Sequence, residues 1–198
     1  MKTLLAILMM LAATVAFGDV WVEVDDAGDL AETAQVPSGV DPLEAIQGTF
    51  LDPDADLYLI YVPDPAAFSA TTCGNAQDTQ LWLFATDGMG ISFNDDDPGG
   101  CGLQSTVTGM YMTGPGLYVL GVSCYSYDAI DASGNEIWLD SPYGEERQPD
   151  GAGAANPLAG WAGTAYDNGP YEILLTGAFF PEGTATQNTN WGLVKALY

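Results

Sequence analysis

Residues 52–62 read DPDADLYLIYV and join three alternating carboxylates to an apolar and aromatic run. The second half predicts a β-strand, because Leu, Ile, Tyr and Val favour strands. Alternate side chains of an extended segment point to the same face, so Asp52, Asp54 and Asp56 can converge. Converging carboxylates repel one another unless a cation lies between them, and Ca2+ prefers oxygen ligands. The alternative interpretation is a polar turn that leads into a strand.

A self-contained EF-hand loop is excluded for this stretch. Its sixth position would be Leu57 instead of Gly, and its twelfth would be Pro63 instead of Glu. Any Ca2+ ligands must therefore come from separate segments that the fold brings together. A second candidate metal site is the acidic loop that begins with Asn94, Asp95 and Asp96. The alternative there is a solvated loop at the end of a hairpin.

Short apolar runs separated by Gly, Pro and Asp turns continue on both sides of this stretch. Asp87-Gly88 between two such runs is a strong hairpin signal. No convincing amphipathic helix precedes residue 186. The pattern predicts an all-β fold, a jelly-roll-like antiparallel β-sandwich. The predicted strands cover residues 20–24, 57–62, 80–85, 90–93, 117–125, 137–139 and 171–180.

Three regions divide the chain of 198 residues. Residues 1–18 predict a signal peptide, with Lys2, an apolar run and cleavage before Asp19. Residues 19–181 form the predicted sandwich, including a long Gly- and Pro-rich loop at 141–170. Residues 182–198 predict a linker and a short C-terminal helix, or a tail that packs on the sandwich or frays. We therefore expect a secreted or cell-surface protein with no membrane span.

The formal net charge of −24 excludes whole classes of partner. Nucleic acids and anionic lipids require clustered Lys and Arg, which this sequence lacks. Two explanations for the acidity stay open, bound cations and a surface adapted to salty water. The expected partner is an extracellular polysaccharide or protein surface, and self-association is a further possibility.

Three cysteines bear on the fold of an exported chain, where oxidising conditions favour one disulfide. Cys73 and Cys101 lie in Gly-containing, loop-like contexts, whereas Cys124 ends a predicted strand. We predict a Cys73–Cys101 disulfide and a buried free thiol at Cys124.

Catalytic chemistry finds little support in the sequence. The chain contains no His, which removes His-dependent triads and His-ligated zinc. Many acids produce carboxylate pairs by chance, so such pairs are weak support for a glycosidase. We predict that the protein is not an enzyme. Trp161, in the long loop, is a candidate glycan platform, and the alternative is a loop anchor inserted into the sandwich.

Four motifs in order resemble the bacterial pre-peptidase C-terminal domain, and within it a group of secreted proteins. The resemblance covers roughly residues 23–180. The matching segments are Asp54-Ala-Asp56-Leu-Tyr58, residues 78–96 (DTQLWLFATDGMGISFNDD), residues 115–125 (PGLYVLGVSCY) and residues 171–176 (YEILLT).

The resemblance implies a mostly non-catalytic sandwich that is secreted by bacteria and often appended to proteases. Some members, such as collagen-binding modules, hold Ca2+ between an acidic N-terminal segment and the D-x-D turn. The positions implied here are Asp25, Asp26, Asp29, Asp54 and Asp56, although residues 25–29 depart from the usual Glu-x-Asn-Asp run.

The expected function is that of a calcium-stabilised binding or adhesion module for matrix, glycan or cell surface. A structural or self-assembling component is the alternative, and a hydrolase is the third possibility.

Overall fold

The structure is a computed structural model that describes residues 18–51, 53–166 and 168–181. Asp52, the 182–198 tail with its predicted helix, and the predicted signal peptide except Gly18 lie outside these ranges. The strands are β1 (Asp19–Val22), β2 (Leu43–Phe50), β3 (Ala55–Val62), β4 (Ser69–Thr71), β5 (Thr79–Ala85), β6 (Gly90–Asn94), β7 (Thr106–Thr108), β8 (Gly116–Cys124), β9 (Tyr127–Ile130), β10 (Gly160–Gly163) and β11 (Gly169–Thr176). Two short 3-10 turns cover Pro65–Ala67 and Gly109–Tyr111.

Two main sheets form the sandwich, which confirms the predicted all-β fold. One has five strands in the order β1-β2-β11-β4-β7, and the other has four in the order β3-β8-β5-β6. β9 and β10 form a separate two-stranded ribbon. The strand pairs are antiparallel except that β1 runs parallel to β2. The described segments contain no helix whose length and apolar character would let it cross a membrane.

The main core lies between the two sheets. Ile46 of β2 and Ile173 of β11 pack there with Ile60 of β3 and Leu120 of β8, and all four are buried. Burial of such side chains contributes about 1.5–3 kcal/mol each, so this interior is the main source of stability.

A second core covers the other face of the four-stranded sheet. Trp82 and Phe84 of β5 pack there with Trp138 and Leu158 from the long connection between β9 and β11. This sheet is therefore buried on both faces. That explains why its strands read as continuous apolar runs without alternation.

The long connection differs from the prediction of a Gly- and Pro-rich loop at 141–170. Part of it forms β10, and Leu158 belongs to the second core. The predicted strand at 137–139 is wrong: Ile137 and Trp138 are buried from a loop. Their apolar character reflects packing against the sheet and not strand pairing.

Local sequence signals account for some strands better than for others. The predicted β5–β6 hairpin is confirmed, with Gly88 at φ 83°, a conformation that favours glycine. β2 (Leu43–Phe50) was not predicted, and it lies between the predicted strands at 20–24 and 57–62. β4 was not predicted, because three residues are too few to produce a pattern.

Candidate metal centre

Asp56 lies at the start of β3, on the face that points between the sheets. Tyr58 and Ile60 alternate with it and belong to the main core, so Asp56 occupies an interior position. Its side chain is 0 % exposed. A carboxylate this deeply buried needs partners for both oxygens, because burying an unpaired charge is costly.

Among the described residues, only one oxygen of Asp56 accepts a hydrogen bond from a donor group. Tyr171 of β11 donates its hydroxyl to Oδ2 at 2.7 Å, and that hydroxyl also lies 2.6 Å from the Tyr58 hydroxyl. Oδ1 is buried without a hydrogen-bond partner. Burial raises the pKa of Asp56 to about 8, with smaller contributions from the charges of Asp54 and Glu23.

Two further carboxylates approach Asp56 from the segment after β1. Oxygens of Glu23, Asp26 and Asp56 all lie within 4.8 Å of one another. Asp54 lies beside this group, and burial together with the charges of Asp26 and Glu23 raises its pKa to about 6. We call Glu23, Asp26, Asp54 and Asp56 the β3 carboxylate cluster.

Glu23 is the member that the sequence did not identify. Its carboxylate accepts hydrogen bonds from the backbone N–H groups of Ala27 at 3.1 Å and Thr49 at 2.9 Å. These bonds fix the acidic turn to β2 and aim the carboxylate inward. Gly48 permits this approach, because a Cβ there would overlap the Tyr171 hydroxyl and crowd Glu23. In the sequence, Glu23 resembles an ordinary polar position within a short strand.

The other predicted ligands from the N-terminal turn lie outside this group. Asp25 is exposed, has φ 57° and lines a neighbouring groove. Asp29 is also exposed, and its backbone carbonyl accepts a hydrogen bond from the Trp161 indole at 2.6 Å. The structure therefore groups Asp26, Asp54 and Asp56 and separates them from Asp25 and Asp29.

The second predicted site also changes composition. Asn94 uses its amide to hold the fold: Oδ1 accepts from the Thr106 N–H at 2.8 Å, and Nδ2 donates to the Asp96 carbonyl at 2.8 Å. Asp95 and Asp96 instead approach Asp78, with carboxylate oxygens within 4.8 Å of one another. We call Asp78, Asp95 and Asp96 the β6 carboxylate cluster.

Asp78 joins this cluster because of sheet topology. It immediately precedes β5, whereas Asp95 and Asp96 follow β6, and the antiparallel pairing of these strands brings both ends together. Nothing in the sequence around Asp78 indicates this, although it opens the second motif of the family resemblance.

The predicted Cys73–Cys101 disulfide is confirmed, and Cys124 is buried outside this disulfide. Trp161 lies half-buried in β10. Its ring packs edge-on against Trp82 at 5.4 Å and stacks with Tyr127 at 6.1 Å. These contacts agree with the alternative of a loop anchor, and sugar binding at Trp161 stays a prediction.

In comparisons with known proteins, no family model, curated protein or solved structure matches the chain. The resemblance to the pre-peptidase C-terminal domain therefore stays a prediction.

Proposed function

We propose that this protein is a secreted, non-catalytic β-sandwich that Ca2+ stabilises at the β3 carboxylate cluster and that serves as an extracellular binding or adhesion module. The observation that carries the calcium proposal is the unpartnered, buried Oδ1 of Asp56 beside the carboxylates of Glu23 and Asp26. Ionised carboxylates offer one another no hydrogen to donate. A cation or a shared proton must therefore lie between these carboxylates.

The local charge balance favours a cation. In the described segments, Arg147 is the one basic side chain, and its ion pair is with Asp150 at 2.6 Å. No basic side chain of these segments therefore neutralises the β3 carboxylate cluster. Ca2+ accepts several carboxylate ligands in irregular geometry, which suits oxygens supplied by a turn and a strand end. We infer that the ion clasps the 23–26 turn to the start of β3.

Thermal unfolding with and without chelator tests this proposal. A ligand at about 100 times its Kd adds about 2.7 kcal/mol, which raises the Tm of a chain this size by about 5–10 °C. Asp54→Ala and Asp56→Ala should abolish the Ca2+-dependent rise. Glu23→Gln tests the same site at a half-buried position, and Glu145→Gln, at an exposed site outside both clusters, should leave the rise intact. An identical Tm in Ca2+ and in chelator would refute Ca2+ binding at the β3 carboxylate cluster.

A groove that carries several polar side chains lies beside the cluster and supports the binding role. It has a volume of about 710 Å3, and its lining includes Gln47, Asn75, Gln77, Tyr171 and Glu172. Amides and carboxylates can hydrogen-bond to sugar hydroxyl groups. We therefore favour a neutral polysaccharide over an anionic one, because acidic side chains line the groove.

Binding of variants to a glycan or matrix array distinguishes a binding site in this groove from the aromatic site predicted at Trp161. Gln77→Ala should weaken binding, because it removes a polar side chain from the groove lining. Trp161→Ala should leave groove binding unchanged in protein that remains folded. The reverse pattern would move the binding site to Trp161, and no binding on any array would reject this role.

One observation favours the alternative of a self-assembling component. Val20, Ala45 and Leu174 occupy one row across β1, β2 and β11, and Val20 and Leu174 are 49 % and 43 % exposed. Size measurements on the full chain and on a chain that ends at Pro181 test this alternative. A monomer in both cases would count against it.

A further inference from the structure

The β6 carboxylate cluster shares no residue with the site just proposed. A group of acids alone does not make a cation site, because acidic side chains often gather on a surface without an ion. The informative residue is Asp95, which is only 2 % exposed and has no hydrogen-bond partner at Oδ1 within the described part of the chain. Whether ionised or protonated, this buried oxygen requires a partner.

The space beside Asp95 can hold that partner. Asp78, Asp95 and Asp96 line a cavity of about 170 Å3, together with Leu103, Tyr125 and Tyr143. Because a water molecule occupies about 30 Å3 of liquid, this volume admits an ion with several waters. The lining therefore combines three carboxylates with two aromatic rings.

The described groups near Asp95 do not neutralise the negative charge of the β6 carboxylate cluster. Asp128 lies nearby and adds to the electrostatic repulsion at Asp95. The charge of Arg147 acts in the opposite direction, but its guanidinium donates to Asp150 and to the carbonyls of Ser141 and Leu139.

We propose that Asp78, Asp95 and Asp96 form a second, independent site for a hard divalent cation of the Ca2+ class, with Asp95 as its buried ligand. Ca2+ suits this site better than Mg2+, which demands near-ideal octahedral geometry. The ion would join the start of β5 to the end of β6, next to the loops that carry Tyr125 and Tyr143.

Stoichiometry tests the proposal with the full chain and Ca2+ as the probe. Isothermal titration should give two equivalents for the wild type and one for the Glu23→Gln/Asp56→Asn variant. Adding Asp95→Asn to that variant should remove the remaining equivalent. Glu145→Gln serves again as the charge-matched control and should retain both. This design separates the two sites, because failure of the β3 carboxylate cluster leaves the equivalent at Asp95 intact.

Asp96→Asn keeps the test decisive if Asp95→Asn does not fold, because Asp96 is half-buried. Loss of a charged ligand should weaken the second binding event at least about tenfold, since even changes outside the ligand shell cost about 10–100-fold. Terbium luminescence, sensitised by Tyr125 and Tyr143, provides a second readout that should fall in the same variants. Unchanged stoichiometry and affinity after these substitutions, or no Ca2+ binding with the β3 carboxylate cluster removed, would overturn the proposal.

Discussion

Asp56 and Asn94 are buried polar residues in one row of the four-stranded sheet, but their side chains differ in how fully they are hydrogen-bonded. The pairing Asp56–Val122, Val122–Leu81 and Leu81–Asn94 places them in one row across the four-stranded sheet. At about 4.8 Å per strand spacing, they lie roughly 14 Å apart. Both reach the opposite sheet, Asp56 through the Tyr171 hydroxyl on β11 and Asn94 through the Thr106 N–H on β7.

The difference lies in what remains after that link is made. The neutral amide of Asn94 has both an acceptor and a donor group, and each finds a partner in the protein. The carboxylate of Asp56 cannot donate when ionised, so Oδ1 remains without a hydrogen-bond partner. A buried amide can therefore join the sheets unaided, whereas a buried carboxylate at the equivalent place depends on a proton or a cation.

The largest expected effect concerns pH in the metal-free protein. The pKa values of Asp56 and Asp95 rise from an ordinary 3.8 to about 8. Between pH 4 and 8, the folded state therefore retains protons that the unfolded state has released. The free energy of unfolding should be highest near pH 4 and fall by on the order of 1 kcal/mol per pH unit for each titrating group.

Urea unfolding in chelator across this range measures that slope. Asp56→Asn and Asp95→Asn should each remove part of it, whereas Asn94→Ala should not. Ca2+ should oppose the fall, because it binds the ionised carboxylates. A stability that stays constant from pH 4 to pH 8 would contradict the difference between the two positions.

The next prediction concerns Asn94, whose side-chain amide finds its hydrogen-bond partners within the protein. Asn94→Ala leaves the Thr106 N–H and the Asp96 carbonyl without their partner, at a cost of about 2–3 kcal/mol. Because the lost bonds involve no charge, Asn94→Ala should lower the free energy of unfolding by the same amount in Ca2+ and in chelator. Chemical unfolding in both conditions checks this. A cost that disappears in Ca2+ would make Asn94 part of a metal site.

Tyr171→Phe tests the other position with a smaller change. The substitution removes the hydroxyl that donates to Asp56 and contacts Tyr58, at an expected cost of about 1–2 kcal/mol. The Ca2+-dependent rise in Tm should survive, because Tyr171 is not a proposed ligand. Differential scanning calorimetry of both proteins provides the measurement. Complete loss of the Ca2+ response would place the phenol at the ion.

The smallest effect concerns Trp161. Trp161→Phe keeps an aromatic ring but loses the hydrogen bond to the Asp29 carbonyl, which should cost about 1 kcal/mol. Because this bond anchors the turn that carries Asp26, Ca2+ affinity should fall slightly at the β3 carboxylate cluster and stay unchanged at the β6 carboxylate cluster. Titration of each single-site background detects the difference. Equal loss at both sites would indicate general unfolding.

The sequence predicted features that depend on local pattern. The apolar runs identified β3, β5, β8 and β11, and Asp87-Gly88 identified the hairpin. Asp56 could be predicted as a candidate because it lies within a D-x-D turn that opens a strand. The disulfide followed from two loop-like cysteines together with the expectation of export.

Features that depend on strand pairing escaped the sequence analysis. Glu23 and Asp78 join their clusters because segments distant along the chain are neighbours in the fold. The second core also escaped: the apolar run at 137–139 suggested a strand and Leu158 lies in the Gly- and Pro-rich loop, whereas both regions bury a sheet face. Asn94 illustrates the reverse case, where an acidic context suggested a ligand and the amide instead has a structural role.

The disulfide constrains one of the two carboxylate clusters in the unfolded chain and leaves the other unconstrained. Asp78, Asp95 and Asp96 all lie inside the covalent ring closed by Cys73 and Cys101, which are 28 residues apart. Asp26 and Asp54 are separated by a similar length of chain, but no covalent bond closes it. Ring closure raises the effective concentration of the β6 carboxylates around one another even in the unfolded chain. An ion there would be recruited early, and a reductant would weaken its capture while leaving the ion at Asp56 dependent on folding alone.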